Sequence, residues 1–242
     1  MTPHASTLVL FGIPALALSV VALIGVGVFF VTGTRDARRY ALGSAAWLTF
    51  AAVLGLSGFL TQFEAMPPHL LLLMVPTIGL PLMLARSSIG TALAKAPLEL
   101  LIGFQAFRFP LELVMHQAAL EGTMPTQMSY TGSNFDIASG VSAILVALLA
   151  AKQRAPRWLL FAWNALGTLL LLNILGIAVL SLPTFAVFGR GPERLNTWVA
   201  YFPFVWLPAG LVSAAVLGHV LLWRRLWSRD RRGPALGRLS SL

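Results

Sequence analysis

From Thr7 to Gly33 the chain runs without a charged side chain, and comparable apolar runs recur along it. This restricts the fold more than any other feature, because about 20 apolar residues make a helix that crosses the hydrocarbon core of a bilayer. In that solvent the backbone must satisfy its own hydrogen bonds, which leaves helices or closed barrels. Barrel strands are short and alternate apolar with polar residues, whereas these runs are continuously apolar, so helices are expected. Composition agrees: a soluble domain is about 45–50% apolar and roughly 25% charged, against 57% and 10% here. With 242 residues there is no room for a separate soluble domain. The absence of cysteine excludes disulfides, thiolate metal sites and cysteine nucleophiles.

Seven spans can be marked, at about 7–33, 40–63, 69–85, 97–118, 135–151, 158–182 and 196–223. They predict an all-α, seven-transmembrane-helix bundle over residues 1–223, followed by a basic tail over 224–242. Charge orients the bundle. Arg35, Arg38 and Arg39 follow span one, Arg86 and Lys95 span three, Lys152, Arg154 and Arg157 span five. Six more arginines follow span seven, so 14 of the 17 basic residues share one side. The positive-inside rule makes that side cytoplasmic, with the amino terminus outside and the carboxy terminus inside. An even span count would scatter the pattern. The tail is expected on anionic lipid head groups, which accounts for the net charge of +9 without nucleic acid. The leader MTPHAS lacks a positive region, so span one is expected to be retained as an anchor.

Span four interrupts the oil. Within FRFPLELVMH and the residues just before it, Gln105, Arg108, Glu112 and His116 follow helical spacing. At 3.6 residues per turn they fall within an arc of roughly 80° and share one face. A rise of about 1.5 Å per residue puts Glu112 about 6 Å, and His116 about 12 Å, beyond a mid-membrane Arg108. An ionised arginine there costs about 2.5–3.5 kcal/mol on insertion scales, and intramembrane charges are functional by default. Arg108 and Glu112 are expected to pair at i,i+4, with His116 bonded to Glu112 one turn on. Pro110 deprives the Ala106 carbonyl of its usual amide partner. Together these predict an outward-facing polar pocket; the bland reading is a closed ion pair with polar packing against neighbouring helices.

Other polar groups lie on the expected outer side: His4, Glu64, His69 and Asp136. Imidazole and carboxylate suit metal ligation, so His69, His116 and Glu112 form a candidate metal set, or two histidines a haem site. No H-E-x-x-H spacing supports it. Asp136 is expected as the N-cap of span five, and His219 lies toward the cytoplasmic end of span seven. Asn164 and Asn173 fall on opposite faces, so one serves interhelical packing. The segment Glu121–Asn134 is long for a connection and is a candidate lid.

Span three (VPTIGLP) and span seven (FPFVWLP) each carry P-x-x-x-x-P, and span three is expected to break at Pro76 and Pro81. Interrupted helices at matching places point to a transporter site. A three-plus-one-plus-three layout with an outside amino terminus resembles the small sugar transporters of the SWEET type, although their Pro-Gln dipeptide is missing. Retinal chemistry is excluded, since both lysines, Lys95 and Lys152, lie near loops. Nucleotide-binding glycine loops and G-x-S-x-G are absent. RFPLELVMH, NFDIASG and YFPFVWLPAG resemble a group of uncharacterised bacterial seven-span integral membrane proteins. The resemblance implies a multi-pass protein of the bacterial inner membrane and no activity.

The function these features predict is binding or transport of a small polar or anionic solute. Arg108 would hold the anion, Glu112 act as its switchable counter-charge and His116 relay a proton. The alternatives are a metal- or haem-dependent membrane enzyme and a structural subunit or homo-oligomer packed through small residues such as Gly55 and Gly58.

Overall fold

The computed structural model describes residues 3–230, and among them every regular element is helical. The tail arginines Arg231, Arg232 and Arg238 lie outside the described residues. Helix α1 (Thr7–Thr32) opens with the Ser6 hydroxyl accepting from the Val9 amide at 3.4 Å. Gly33, at φ +87°, turns the chain directly into α2 (Thr34–Leu56). TRDARR therefore forms the first turns of α2 instead of a loop, with Asp36 near the helix start and 3.1 Å from Arg39.

Helix α3 (His69–Arg86) continues unbroken through Pro76 and Pro81, which corrects the expected interruption. A proline lacks the amide that would bond four residues back, so Pro81 frees the Thr77 carbonyl. The Ser213 hydroxyl donates to that carbonyl at 2.8 Å. A neighbouring hydroxyl is one of the ways a membrane helix tolerates proline. The matched pair of broken helices is therefore absent, and with it the support for an internal repeat.

Short α4 (Ser88–Leu93) and α5 (Leu98–Gly103) follow, then a 3₁₀ turn over Phe104–Phe107, then α6 (Arg108–Leu120). Span four is thus three consecutive helical pieces. The turn directs the Arg108 amide at the Ala106 and Gln105 carbonyls, so Ala106, stranded by Pro110, is not free. Helix α7 (Ile137–Ala151) and α8 (Arg157–Leu180) come next. Span seven begins with Trp198 fully buried, its ring 5.0 Å from Phe204. Its helix starts as a π-helical turn over Leu207–Val212 and continues as α9 (Ser213–Asp230), so residues 224–230 of the expected tail extend the helix.

Among the described residues five helices are long and apolar enough to cross a membrane: α1, α2, α3, α8 and the Leu207–Ser228 run. The last is the axle of the bundle. In its most apolar window 67% is buried within the protein, against 17–28% in the other four. It packs against α3, α5 and α8, and its π-helical turn against α1 and α2. Two indoles lock that turn to α2. Trp47 Nε1 donates to the Ala209 carbonyl and Trp206 Nε1 to the Leu48 carbonyl, each at 2.9 Å. Large apolar side chains such as Phe11, Leu23, Phe30, Val75 and Met83 point away from the bundle. A water-soluble protein does not sustain so much outward apolar surface; lipid is the solvent that suits it.

Glycine sets one decisive approach. A Cβ on Gly140 would lie 2.3 Å from the Phe109 amide nitrogen, so α7 meets the α6 backbone directly. That contact carries Asp136, one turn earlier, to the side of Arg108. Gly55 meets Phe202 in the same way at 2.9 Å, which uses this small face inside the chain.

Candidate functional site: a buried charge cluster beside an apolar cavity

Arg108 is 1% exposed, and its partners come from three other parts of the chain. Nε donates to Asp136 Oδ2 at 2.7 Å, and Nη2 makes an ion pair with the same oxygen. Nη1 is 2.9 Å from His219 Nε2 and 3.5 Å from the Gly167 carbonyl. A guanidinium can only donate, so His219 Nε2 is the acceptor and carries no proton. Its Nδ1–H then donates to Asn164 Oδ1 at 2.8 Å, and Asn164 Nδ2 returns to the His219 carbonyl at 3.3 Å. The imidazole is held neutral in a single tautomer by both neighbours. Gly167 makes room for it, since a Cβ there would fall 2.6 Å from His219 Cε1.

Glu112 does not pair with Arg108 as its spacing suggested. Both carboxylate oxygens accept from Asn134 Nδ2, each at 2.9 Å. Asn134 Nδ2 also reaches the Met128 carbonyl at 3.0 Å, while its Oδ1 accepts the Asp136 amide at 3.0 Å. One side-chain amide thus ties the Glu112 carboxylate to the backbone of Asp136. Asp136 makes no side-chain cap on α7, which corrects its expected role. The physical reason is competition: a guanidinium is a stronger partner for a buried carboxylate than a helix-end amide.

His116 is also placed differently. Its Nδ1 lies 2.9 Å from the Ser129 hydroxyl and its ring 4.4 Å from that of Tyr130. Gln105 is buried and donates to the Ala215 carbonyl at 3.1 Å, tying the 3₁₀ turn to α9. His69 stacks on Phe59 at 4.1 Å and donates Nδ1–H to its carbonyl at 3.0 Å. The metal set His69, His116 and Glu112 is therefore not assembled, and among the described residues no three His, Asp or Glu side chains are grouped to hold a metal ion.

Arg108, Glu112 and Asp136 line a cavity of about 80 Å³. That exceeds the roughly 10–15 Å³ a single water needs. Its other walls are nearly all apolar, among them Leu70, Met74, Leu111, Met115, Leu171 and Leu211. Gln105 and His116 lie outside this lining. The connection from Glu121 to Asp136 closes one end. Its Met124, Gln127, Met128, Ser129 and Asn134 are buried, so it is a packed roof and not a loose strand of loop. Gln127 pins the roof to Ser181 at 2.9 Å and to the Arg194 carbonyl at 2.7 Å.

The amino-terminal segment clasps the same roof. Glu121 Oε2 accepts the Ser6 amide at 2.8 Å, and the Thr123 hydroxyl donates to the His4 carbonyl. Slight desolvation raises the Glu121 carboxyl, but hydrogen bonds from Ser6 and Gln117 outweigh it and hold the group below the ordinary carboxylate range.

Sequence reasoning missed His219, Asn134 and the true role of Asp136. A neutral hydrogen-bonding residue in each of α8 and α9, Asn164 and His219, was the signal that could have pointed to them. Nothing in linear spacing aligns residues 108, 136, 164 and 219.

These features define a helical integral membrane protein with a hydrogen-bonded charge cluster buried beside an apolar cavity. Compared with protein-family models, curated proteins and solved structures, the chain matches none of them.

Proposed function

We propose that this protein binds, and carries across the bilayer, a small amphiphile with an apolar body and a cationic head, using the cavity beside Glu112. The observation that supports this is the charge count of the cluster: one guanidinium faces two carboxylates, and the histidine is neutral. Arg108 can only donate; its Nε and Nη1 are hydrogen-bonded to Asp136, His219 and Gly167, and its Nη2 is ion-paired with Asp136. An anion arriving at Arg108 would have to displace Asp136, so the anionic solute expected from the sequence is not favoured. Glu112 is the group left without a cation. In an apolar wall an uncompensated carboxylate is costly, and either a proton or an ammonium group supplies the missing charge. Exchange of one for the other couples solute movement to a proton. Apolar walls supply affinity at about 25 cal/mol per Å² of ligand surface buried.

The same reading places seven spans in the membrane, counting the Leu98–Leu120 pieces and α7. It puts the amino terminus and the cavity roof outside and the basic end in the cytoplasm, in an inner membrane of the bacterial type. A cysteine-free chain makes this simple to examine: Ser133→Cys should react with an impermeant thiol reagent from outside, and Gln153→Cys only after lysis.

The binding reading is tested with three ligands of one shape: cyclohexylmethylamine, cyclohexylmethanol and cyclohexanecarboxylate, added to detergent-purified protein. The amine should raise the melting temperature most, and Glu112→Gln should remove that response while leaving the unliganded protein folded. A larger response to the carboxylate, or an amine response that survives Glu112→Gln, refutes it.

A further inference from the structure

At the opposite end of the bundle three segments separated in sequence meet around a second opening. The α4–α5 connection, the start of α8 and the last turns of α9 enclose a cleft of about 1320 Å³. Among the described residues its lining holds Lys95, Arg157, Arg224 and Arg225 together with one carboxylate, Glu99. Like charges gathered in one concavity raise the local potential and focus it on an incoming anion. Their placement is built, not incidental. Arg224 Nη2 donates to the Thr91 hydroxyl at 3.0 Å, which fixes the guanidinium across the cleft, while its Nη1 is buried with no hydrogen-bond partner. Arg157 Nη2 donates to the Leu226 carbonyl at 2.9 Å, tying α8 to α9 on the same wall.

We infer that this cleft is a binding site for a phosphate ester. Guanidinium groups match phosphate oxygens through paired N–H donors, and Arg224 shares the cleft lining with the exposed ammonium of Lys95. The volume is large for inorganic phosphate and accommodates a head group. Leu98, Leu160 and Leu226 lie on its walls and give an attached acyl or alkyl portion apolar contact. Two sources share this chemistry: the head group of an anionic phospholipid, and a soluble phosphorylated metabolite. The cleft lies among the basic segments that sequence reasoning assigned to a single face, and it is independent of the cavity near Glu112.

Native mass spectrometry of the delipidated full-length protein tests the inference with three probes: palmitoyl-oleoyl phosphatidylglycerol, the matching phosphatidylcholine, and glycerol phosphate. Two variants accompany the native chain: Lys95→Gln with Arg224→Gln, and Lys95→Glu alone, which changes only an exposed side chain. Phosphatidylglycerol binding in preference to phosphatidylcholine, weakened roughly tenfold or more in both variants, supports the site and assigns it to lipid. Glycerol phosphate binding with the same loss supports the site and assigns it to a soluble ester. Equal binding of the two lipids with none of glycerol phosphate overturns the inference. So does anion binding that neither variant weakens.

Discussion

Cutting the Arg108–Asp136 pair from either side should cost far more than removing it whole. Asp136→Ala leaves a guanidinium that is 1% exposed with hydrogen bonds only to His219 and the Gly167 carbonyl. Breaking one side of a buried ion pair typically costs about 3–5 kcal/mol. Arg108→Met instead leaves Asp136 and Glu112, joined through Asn134, without any cation, and should cost a similar amount. The double variant removes both charges at once. What remains are Glu112, already without a cation of its own in the native chain, and His219 Nε2 without its donor, an unsatisfied buried acceptor worth about 1–3 kcal/mol. The double should therefore be more stable than either single, with a coupling of at least about 2 kcal/mol in a double-mutant cycle. Unfolding by SDS in mixed micelles, followed by tryptophan fluorescence, reads this directly, because Trp163 lies 6.2 Å from the His219 ring. Additivity within about 0.5 kcal/mol would refute the pairing. So would single variants that each cost under about 1 kcal/mol, the level of an exposed ion pair.

Three further outcomes follow from the same geometry. Gly167→Ala pushes a methyl to 2.6 Å from His219 and should cost about 1–3 kcal/mol by overpacking, whereas Gly176→Ala in the same helix meets nothing within 4 Å and should be neutral or stabilising; equal melting temperatures would contradict this. Ser213→Ala withdraws the donor from the Thr77 carbonyl freed by Pro81 and should lower stability by about 1–3 kcal/mol, checked in the same SDS titration. Glu121 binds its proton less readily in the fold than in the unfolded chain, so its contribution is present above the unfolded carboxylate range and is lost as pH falls through its depressed folded value. Hydrogen exchange at the Ser6 amide should accelerate, relative to the intrinsic rate, over that acid window in the native chain and be pH-independent on the same scale in Glu121→Gln.

The helices were largely legible, for a local reason. Spans one, five and six match α1, α7 and α8 within two residues at each end, because runs of apolar residues dictate both helix and solvent without reference to distant contacts. Errors cluster at prolines and glycines. Pro81 was read as a break because its missing hydrogen bond is visible in sequence, while the Ser213 hydroxyl that compensates the Thr77 carbonyl comes from a helix 136 positions along the chain. Gly33 closes the expected first span, but its positive φ joins α1 to α2 at once, so residues 34–39, expected between spans one and two, fall inside the second helix.

At the site the division is sharper. Spacing alone singled out Arg108 and Glu112 as intramembrane charges, and both are buried on the cavity wall. Their partners could not be read this way. An i,i+4 pair is worth only a few tenths of a kcal/mol in an exposed helix, so a buried carboxylate reaching over from α7 takes the guanidinium instead. Solvent class, helical fold and the presence of costly charges within the apolar core were determined by the sequence itself, since each follows from the transfer free energy of residues taken one short run at a time. Which charge meets which, that His219 is neutral, and that one carboxylate is left over were decided by tertiary structure alone, because a buried charge answers to whatever lies within a few ångströms, and folding chooses those neighbours from segments far apart in the chain.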